Sequence, residues 1–435
     1  MVATAQASNR TNYSVDVELL GRYNQRTNFA ALVARHIYAD PKKDQSKPQD
    51  KSEIEGSIGD AKGSGKSDGK KLASQKPAGK QQKVMLALLI AAHDEELVIE
   101  QTIRSAIAAG MDKQHIYVVD DNSTDKTSQL AIDIIGEANV IRVGRSGKGL
   151  ALTKAAHAFD LVARYKWIHI ADADGAFVAN YFRIFRKSLR IKYAAATGYV
   201  RSLPGSSIGQ YRVYEYTMGQ ELHRRFQALT HTVTVIPGPT SCFRSDVFAK
   251  VNFANKSMTE DFDVTIQIHR QKLGKIQFIP KAVAYTQDPR NLADFTKQIT
   301  RWNRGMMQVV SRHKIGRSAN RIDVYLSYQI MQNFFLLGNY FLLLPYMAFR
   351  THSLHVIAIA FLLDIFLLLI LTATMALKAN RKDIISAFPQ IYCYRWVTLY
   401  VFMKAFTDVI ILKRFQTSEG IWGTAGRRFK NPISA

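Results

Sequence analysis

From residue 83 onward the chain alternates short apolar runs with amphipathic segments, and this alternation constrains the fold more than any other feature. The segments between the runs have the spacing of helices with one apolar face. The apolar runs cover residues 84–92, 116–119, 140–143, 167–171 and 194–199, and the helical segments lie near 95–109, 125–136, 148–164 and 178–191. The pattern predicts an α/β domain in which helices cover both faces of a mostly parallel sheet.

Polar residues follow the first four apolar runs, at the points where the predicted strands end. The four loops contain residues 93–96, the pair Asp120-Asp121, residues 145–149, and Asp172-Ala173-Asp174. In parallel sheets, ligands bind at the carboxyl ends of the strands. The sequence therefore predicts that these loops meet at one edge of the sheet and form a binding site there.

Asp172 and Asp174 are candidate metal ligands. Two carboxylates at positions i and i+2 after a strand present hard oxygen atoms on one tight turn, and Gly175 lets the chain bend close to a ligand. Alone, such a pair is more often found as solvated turn acids. The preceding apolar strand and the neighbouring polar loops favour a site for a divalent metal.

Lys148 stands at the start of a predicted helix, where a positive charge opposes the helix dipole. A bound phosphate or diphosphate would explain it, and a surface lysine beside a helix cap is the alternative. Glu95 and Glu96 have an alternative of the same kind, because acidic residues at a helix start complement the dipole without binding a ligand.

Four motifs in fixed order indicate a family. They are residues 118–125 with Asp120-Asp121, then Asp172-Ala173-Asp174, Thr259-Glu260-Asp261, and Gln298-x-x-Arg301-Trp302. Together they resemble the family-two inverting glycosyltransferases, specifically the processive polysaccharide synthases, over residues 84–312. The resemblance implies a GT-A-like, Rossmann-type mixed sheet in a catalytic domain at 83–320. It also implies a UDP-sugar donor, Mg or Mn, and a glycan acceptor.

The resemblance also implies a role for each motif residue. Asp261 is the catalytic base, with Glu260 orienting it, and Asp263 is a rival that should face elsewhere on its helix. Asp174 binds the metal, and Asp172 contacts the metal or the ribose. The donor-binding residues are Asp94, Glu95, Asp120, Asp121, Lys148, Asp172, Gln298 and Arg301. The acceptor-binding residues are Trp302, Gly238 and Cys242, although a membrane-surface anchor is an alternative role for Trp302.

The formal charge of +24 requires an anionic partner or surface, which could be nucleic acid or a membrane. The apolar stretches decide for the membrane, so no nucleic acid partner is expected. Residues 354–377 contain a single charge, Asp364, and residues 325–349 contain none, so both are long enough to span a bilayer. Residues 388–412 contain three charges and should be interfacial or packed against protein. Asp364 would face a polymer conduit or bind a neighbouring helix.

The charge distribution predicts a multi-pass protein of the plasma membrane with its catalytic domain in the cytoplasm. The C-terminal transmembrane or interfacial helices would occupy 321–415, and a cytoplasmic tail would occupy 416–435. Residues 1–40 are compatible with short helices, and residues 41–82 have the composition of a disordered linker. No signal peptide is predicted, and the two cysteines make a structural disulfide improbable.

These observations predict a membrane-anchored inverting glycosyltransferase that extends a β-linked polysaccharide. N-acetylglucosamine is the first expectation for the sugar and glucose the second. With so few spans, a partner subunit or oligomer would have to complete a translocation path. Two alternatives remain at this stage. One is a single-addition transferase acting on a polyprenyl-phosphate lipid, and the other is a non-catalytic membrane scaffold that binds nucleotide sugars.

Overall fold

The computed structural model describes residues 83–202, 207–254 and 257–414. The predictions for residues 1–40, 41–82 and 416–435 lie outside the described residues. An eight-stranded mixed sheet forms the centre of the fold, with strand order β3-β2-β1-β4-β7-β6-β8-β5. The strands are β1 Val84–Ala92, β2 Ile116–Asp120, β3 Val140–Arg142, β4 Tyr165–Asp172, β5 Ala176–Phe177, β6 Tyr193–Ser202, β7 Ser241–Arg244 and β8 Lys275–Thr286.

The predicted parallel strands are present, and three further strands make the sheet mixed. Strands β3, β2, β1 and β4 are mutually parallel, whereas β7 is antiparallel to both β4 and β6. At one edge, Ala91 pairs with Asp172 and Ala92 pairs with Asp120. This register brings the acidic loops after β2 and β4 to either side of β1, as the sequence predicts.

The helices of this half are α1 Ile99–Ala108, α2 Thr127–Ile135, α3 Lys148–Ala158, α4 Leu161–Arg164 and α5 Tyr181–Ser188. The helix predicted over 148–164 is therefore divided in two, because Asp160 takes a left-handed conformation with φ of 50°. Alternate residues of β1 enter two separate cores, since neighbouring side chains of a strand point to opposite faces. Leu88 packs on the side of α1 and Leu89 on the side of α3.

The remaining helices surround the other end of the sheet. They are α6 Ser207–Met218, which continues through the π-helix Gly219–Arg224 into α7 Arg225–Thr230, then α8 Ser245–Phe248, α9 Glu260–Arg270, α10 Leu292–Arg312, α11 Arg321–Gly338, α12 Leu344–Thr351, α13 His355–Ala379, α14 Asp383–Ser386 and α15 Phe388–Phe406. Helices α6, α10, α13 and α15 share one apolar core, to which Tyr211, Phe295, Met375 and Ile391 belong.

The apolar stretches of the C-terminal half differ from one another. By length and composition, α13 is the one helix of the described residues that could cross a membrane, and many of its large apolar side chains are exposed. The stretch predicted as a second span forms α11 and α12, and the π-helix Asn339–Leu343 joins them into one continuous helical segment. Residues of α15 pack against α10, which agrees with the prediction that this stretch packs against protein.

Asp364 of α13 binds a neighbouring helix. Its two carboxylate oxygens accept hydrogen bonds of 2.9 and 2.6 Å from Arg395 of α15. Of the two expectations for this acid, the structure supports the contact between helices.

Candidate functional site

A cavity of about 510 Å³ opens at the carboxyl edge of the sheet, between the strand ends and helices α6, α9 and α10. It brings together residues that are widely separated in the sequence. The predicted site residues that line it are Lys148, Asp172, Asp174, Gly238, Glu260, Asp261, Gln298, Arg301 and Trp302. Three of the four motifs therefore meet in one cavity.

Lys148 joins two of these motifs at the wall of the cavity. Its Nζ atom lies 2.7 Å from Asp172 Oδ1 and 2.7 Å from Glu260 Oε1. Burial would lower the pKa of Lys148, but the two carboxylates raise it above its ordinary value, so the side chain stays charged. The lysine therefore fixes the loop after β4 against the start of α9.

Two glycines permit this close packing. A Cβ atom on Gly238 would lie 2.7 Å from Asp172 Oδ2 and 3.0 Å from Lys148 Nζ, inside the ion pair. A Cβ atom on Gly149 would lie 1.9 Å from the carbonyl oxygen of Phe253. Any larger residue would push apart the loops that form the site.

Asp261 lies in the first turn of α9 and faces the cavity. Burial and the adjacent Glu260 carboxylate raise the pKa of Asp261 to about 6, although Lys148, the Phe262 N–H and Arg301 act in the opposite direction. A carboxyl group with this pKa is largely ionised at neutral pH and can still accept a proton readily, which are the properties of a general base.

Asp263 faces away from the cavity, as predicted. It is fully buried and accepts hydrogen bonds from Gln267, at 2.8 Å, from Arg312, at 3.1 Å, and from His313, at 2.9 Å. These contacts connect α9 to the end of α10 and leave Asp261 as the aspartate of this helix that lines the cavity.

Arg212 of α6 also lines the cavity, and the sequence motifs give no indication of it. Its side chain is fully buried, donates a hydrogen bond to Gln298 Oε1, and lies 2.5 Å from Glu215 Oε2. The guanidinium carbon is 4.7 Å from the centre of the Trp302 ring. Arg212 belongs to none of the four motifs, so no local pattern pointed to it.

Asp172 and Asp174 have the donor atoms expected of a magnesium or manganese site. Both line the cavity, and the turn that carries them is held by Thr102 Oγ1, which lies 2.6 and 2.8 Å from the carbonyl oxygens of Ala173 and Gly175 and shares its one hydroxyl hydrogen between them. Among the residues that the structure describes, no cluster of three or more His, Cys, Asp or Glu side chains is arranged to hold a metal. Magnesium in nucleotide sites often uses only one or two carboxylates, with phosphate and water as further ligands.

Four of the predicted donor-binding acids, Asp94, Glu95, Asp120 and Asp121, lie at the ends of β1 and β2 and in the loops that follow, outside the lining of the cavity. Asp120 and Asp121 are fully buried and hold these loops. Asp120 accepts a hydrogen bond of 2.8 Å from the Ser123 N–H, and Asp121 accepts one of 2.8 Å from the Gly147 N–H. Asp94 accepts a hydrogen bond of 2.7 Å from the Thr124 N–H, and Glu95 is buried.

Cys242 does not fit its predicted contact with the acceptor. It is fully buried in β7, and its side chain belongs to the core on the α1 side of the sheet. Burial also raises the pKa of its thiol well above the ordinary value. The thiol is therefore out of reach of a sugar in the cavity. Gly238, in the turn before β7, does line the cavity.

Comparison with known families agrees with this geometry. Residues 83–305, a little over half of the chain, match the family described as glycosyltransferase like family 2. The chain belongs to this family. The matched region begins with β1 and ends within α10, so it contains all four motifs of this family 2 glycosyltransferase domain.

The chain is similar to curated bacterial synthases of poly-β-1,6-N-acetyl-D-glucosamine. It is 28% identical to the synthase of Staphylococcus aureus over 234 residues, which cover 52% of this chain and 56% of that protein. It is 25% identical to the synthase of Staphylococcus epidermidis over 240 residues, which cover 53% of this chain and 57% of that protein. The chain therefore spans a little over half the length of the curated relatives it matches.

Among solved structures, a mannosyltransferase of Pyrobaculum calidifontis has a similar fold. The two structures superpose with a TM-score of 0.51 at 16% identity, covering 78% of this chain and 92% of the mannosyltransferase. At this identity the similarity supports the GT-A-like fold of the family 2 domain and no finer property.

Proposed function

We propose that this chain is a membrane-anchored inverting glycosyltransferase that transfers a sugar from a UDP donor to a growing β-linked polysaccharide. The observation that carries the proposal is the double ion pair of Lys148. It holds the candidate metal loop, through Asp172, against the helix that carries the candidate base, through Glu260. A transferase needs the metal beside the leaving diphosphate and the base beside the attacking hydroxyl, so that the two act on opposite sides of the anomeric carbon.

Asp261 would act as the base. Its carboxylate takes the proton of the acceptor hydroxyl while the oxygen of that hydroxyl forms a bond to the anomeric carbon. The bond from this carbon to the diphosphate breaks, and UDP leaves with the electron pair. Attack from the face opposite the leaving group inverts the configuration, which needs a single carboxylate base and no covalent intermediate.

Asp172 and Asp174 would hold Mg or Mn, which offsets the negative charge of the leaving diphosphate. The mannosyltransferase with the similar fold was solved with GDP-mannose and Mn²⁺, which supports a metal of this type. Gln298 and Arg301 would contribute further diphosphate contacts. Because they are at positions i and i+3 of α10, both can reach one side of the cavity.

The names of the curated relatives support N-acetylglucosamine as the sugar and a polymer as the product. Trp302 would be the platform for the terminal acceptor sugar, since it lines the cavity and one of its faces lies against Arg212. For a polymerising enzyme, such a platform positions each new chain end before the next transfer.

Membrane attachment would use α13 and the exposed apolar faces of α11 and α12. Large side chains on these helices are exposed, including Phe335 at 75%, Phe349 at 74% and Leu362 at 66%. The formal charge of +24 suits the anionic cytoplasmic leaflet. The catalytic domain would then lie in the cytoplasm of a multi-pass plasma-membrane protein, and a partner or oligomer would complete the translocation path.

A panel of labelled UDP-sugars, supplied with Mg or Mn to the full chain in membranes, tests the proposal. We expect UDP-N-acetylglucosamine to give labelled products of increasing size, and Asp174→Ala to abolish them together with metal-dependent UDP binding. The absence of product with every donor would contradict the proposal. A single labelled lipid of fixed mass would instead support transfer to a polyprenyl phosphate.

A matched measurement separates chain extension from simple transfer. We expect Trp302→Ala to lose glycan extension while hydrolysis of the UDP-sugar by water continues, because water needs no stacking platform. If Trp302 were only a membrane anchor, both activities would fall together. An unchanged ratio of extension to hydrolysis would reject the acceptor role of Trp302.

A further inference from the structure

Arg212 is a charged side chain in an unusual place, since its exposed fraction is 0% and it still lines the cavity wall. A buried guanidinium group is unfavourable unless carboxylates surround it. Here Glu215 Oε2 lies 2.5 Å from Nη1, and Asp288 Oδ1 lies 3.7 Å from Nε. Asp288 is itself held at 2.5 Å by the hydroxyl of Ser202.

The contact with Gln298 determines how that amide is oriented. A guanidinium group has only hydrogen-bond donors, so the atom of Gln298 that meets Arg212 must be the carbonyl oxygen. The NH₂ group of Gln298 is then the end that remains for a ligand in the cavity. Arg212 therefore makes Gln298 a donor, which suits the oxygen atoms of a diphosphate.

The contact with Trp302 determines which face of the indole a sugar can use. The guanidinium carbon is 4.7 Å from the Trp302 ring centre and 5.1 Å from that of Phe295, a fully buried residue of the same helix. Cation–π attraction holds the planar guanidinium over the indole. One face of Trp302 is thus covered, and a sugar would stack on the other.

We propose that Arg212 is a positioning residue that sets the orientation of Gln298 and Trp302 together. One guanidinium group thus fixes the position of Gln298, which contacts the leaving diphosphate, relative to Trp302, which supports the acceptor sugar. Arg212 does not touch the reacting atoms in this scheme. The inference rests on the proposed function, because it assigns Arg212 a part in the same transfer.

Two double-mutant cycles test this role. Arg212→Lys keeps the charge, but a lysine is a single point donor that cannot serve Glu215, Gln298 and the Trp302 face at once. We expect Arg212→Lys to raise the donor KM about tenfold, as Gln298→Ala does, since each removes a hydrogen bond that involves a charged group. The double variant should be no worse than either single variant.

In the second cycle the readout is the ratio of glycan extension to donor hydrolysis. Arg212→Lys and Trp302→Ala should each lower this ratio, and their combination should lower it no further. Arg244→Lys is the matched control. Arg244 also forms an ion pair, with Asp246 at 2.5 Å, but it is outside the lining of the cavity. Its lysine variant should leave the KM and the ratio unchanged.

A separate measurement covers the case in which a variant loses activity through misfolding. For Arg212→Ala we expect added guanidinium, at concentrations below those that unfold the full chain, to restore part of the extension, and added ammonium to restore none. Additive losses in both cycles, or an unchanged KM and ratio in Arg212→Lys, would overturn the positioning role. An unmodified chain that neither hydrolyses nor transfers any UDP-sugar would contradict the proposed function itself, which distinguishes that failure from a failure of the positioning role.

Discussion

The acid–base behaviour of Asp261 is set by its immediate surroundings. Burial and the Glu260 carboxylate raise its pKa to about 6, while Lys148 and Arg301 limit the increase. Lys148 has a second effect, because the same ammonium group forms ion pairs with both Glu260 and Asp172 and offsets one of their two negative charges. One lysine therefore moderates the charge of the base and of the candidate metal loop together.

Replacing Asp261 by Asn should abolish transfer and leave donor binding intact, because the change removes the proton acceptor and keeps the shape. Transfer should fall by at least about a hundredfold, within the range that general-base catalysis contributes. The measurement is the initial rate of extension, with UDP affinity by calorimetry as the control. Turnover near that of the unmodified chain would exclude Asp261 as the base.

The raised pKa also predicts a pH dependence. Only the ionised carboxylate accepts a proton, so kcat/KM should decline as pH falls through about 6. Stability moves in the opposite direction. Because the pKa of Asp261 is raised in the folded state, its protonated form contributes to the free energy of unfolding at low pH, and this contribution is lost as pH rises through about 6. A pH profile of kcat/KM that is flat between pH 5 and about 7 would contradict this assignment.

Among the secondary-structure elements, helix α10 has two faces with different tasks. Gln298, Arg301 and Trp302 line the cavity, whereas Phe295 and Ile299 pack in the core shared with α6, α13 and α15. The helix also approaches the start of α9 very closely at Gly305. The position of the candidate base relative to the cavity therefore depends on how near these two helices can lie.

Gly305→Ala should separate the two helices, because its Cβ would lie 2.5 Å from Thr259 Oγ1. Overpacking of this kind costs about 1–3 kcal/mol, so we expect a lower melting temperature together with a loss of transfer. Gly338→Ala is the matched control, since nothing lies within 4 Å of its Cβ position at the end of α11. A Gly305→Ala protein that is as stable and active as the control would contradict the close approach.

The ion pair of Asp364 and Arg395 connects α13 to α15. Asp364→Leu alone should destabilise the protein by a few kcal/mol, because it leaves the guanidinium group of Arg395 without its carboxylate. The double change to leucine at both positions should cost less than the single change. Thermal unfolding in detergent measures both effects, and a double variant less stable than either single variant would contradict the prediction.

At the scale of the whole molecule, the site and the C-terminal helices share their cores. Tyr211 of α6 and Phe295 of α10 pack with Met375 of α13 and Ile391 of α15. Phe262 of α9 packs with Leu326 of α11. Arg304 of α10 binds Asp408 at 2.5 Å. Helices α6, α9 and α10, which carry site residues, are thus supported by helices that follow the matched region.

A fragment of residues 83–320 contains all four motifs, yet we expect it to lose UDP binding and to aggregate. Removing the later helices would expose the apolar faces of α6, α9 and α10 to water. Calorimetry with UDP and Mn, and the size distribution of the purified fragment, provide the measurements, with the full chain in the same detergent as the control. A monomeric fragment that binds UDP with unchanged affinity would show that the domain is independent of the later helices.

The sequence by itself determined the strands β1 to β4, the helices between them and the edge where the polar loops meet. These features follow from local periodicity, since apolar runs and helical spacing are visible within a few residues. The same local order placed Lys148, Asp172 and Asp174 at one edge of the sheet, and the resemblance of the motifs to a known family added Asp261 and Trp302 to that site.

Tertiary structure alone decided the rest. Arg212 meets Gln298 across 86 positions of sequence, and Arg304 meets Asp408 across 104, so no local pattern encodes either pair. No local pattern shows that Cys242 is buried either. The face of the sheet on which its side chain lies depends on the position of β7, which is inserted antiparallel between β4 and β6. Periodicity in the sequence predicts which side of a helix or strand is apolar. Which residues contact that side depends on how all the elements pack together.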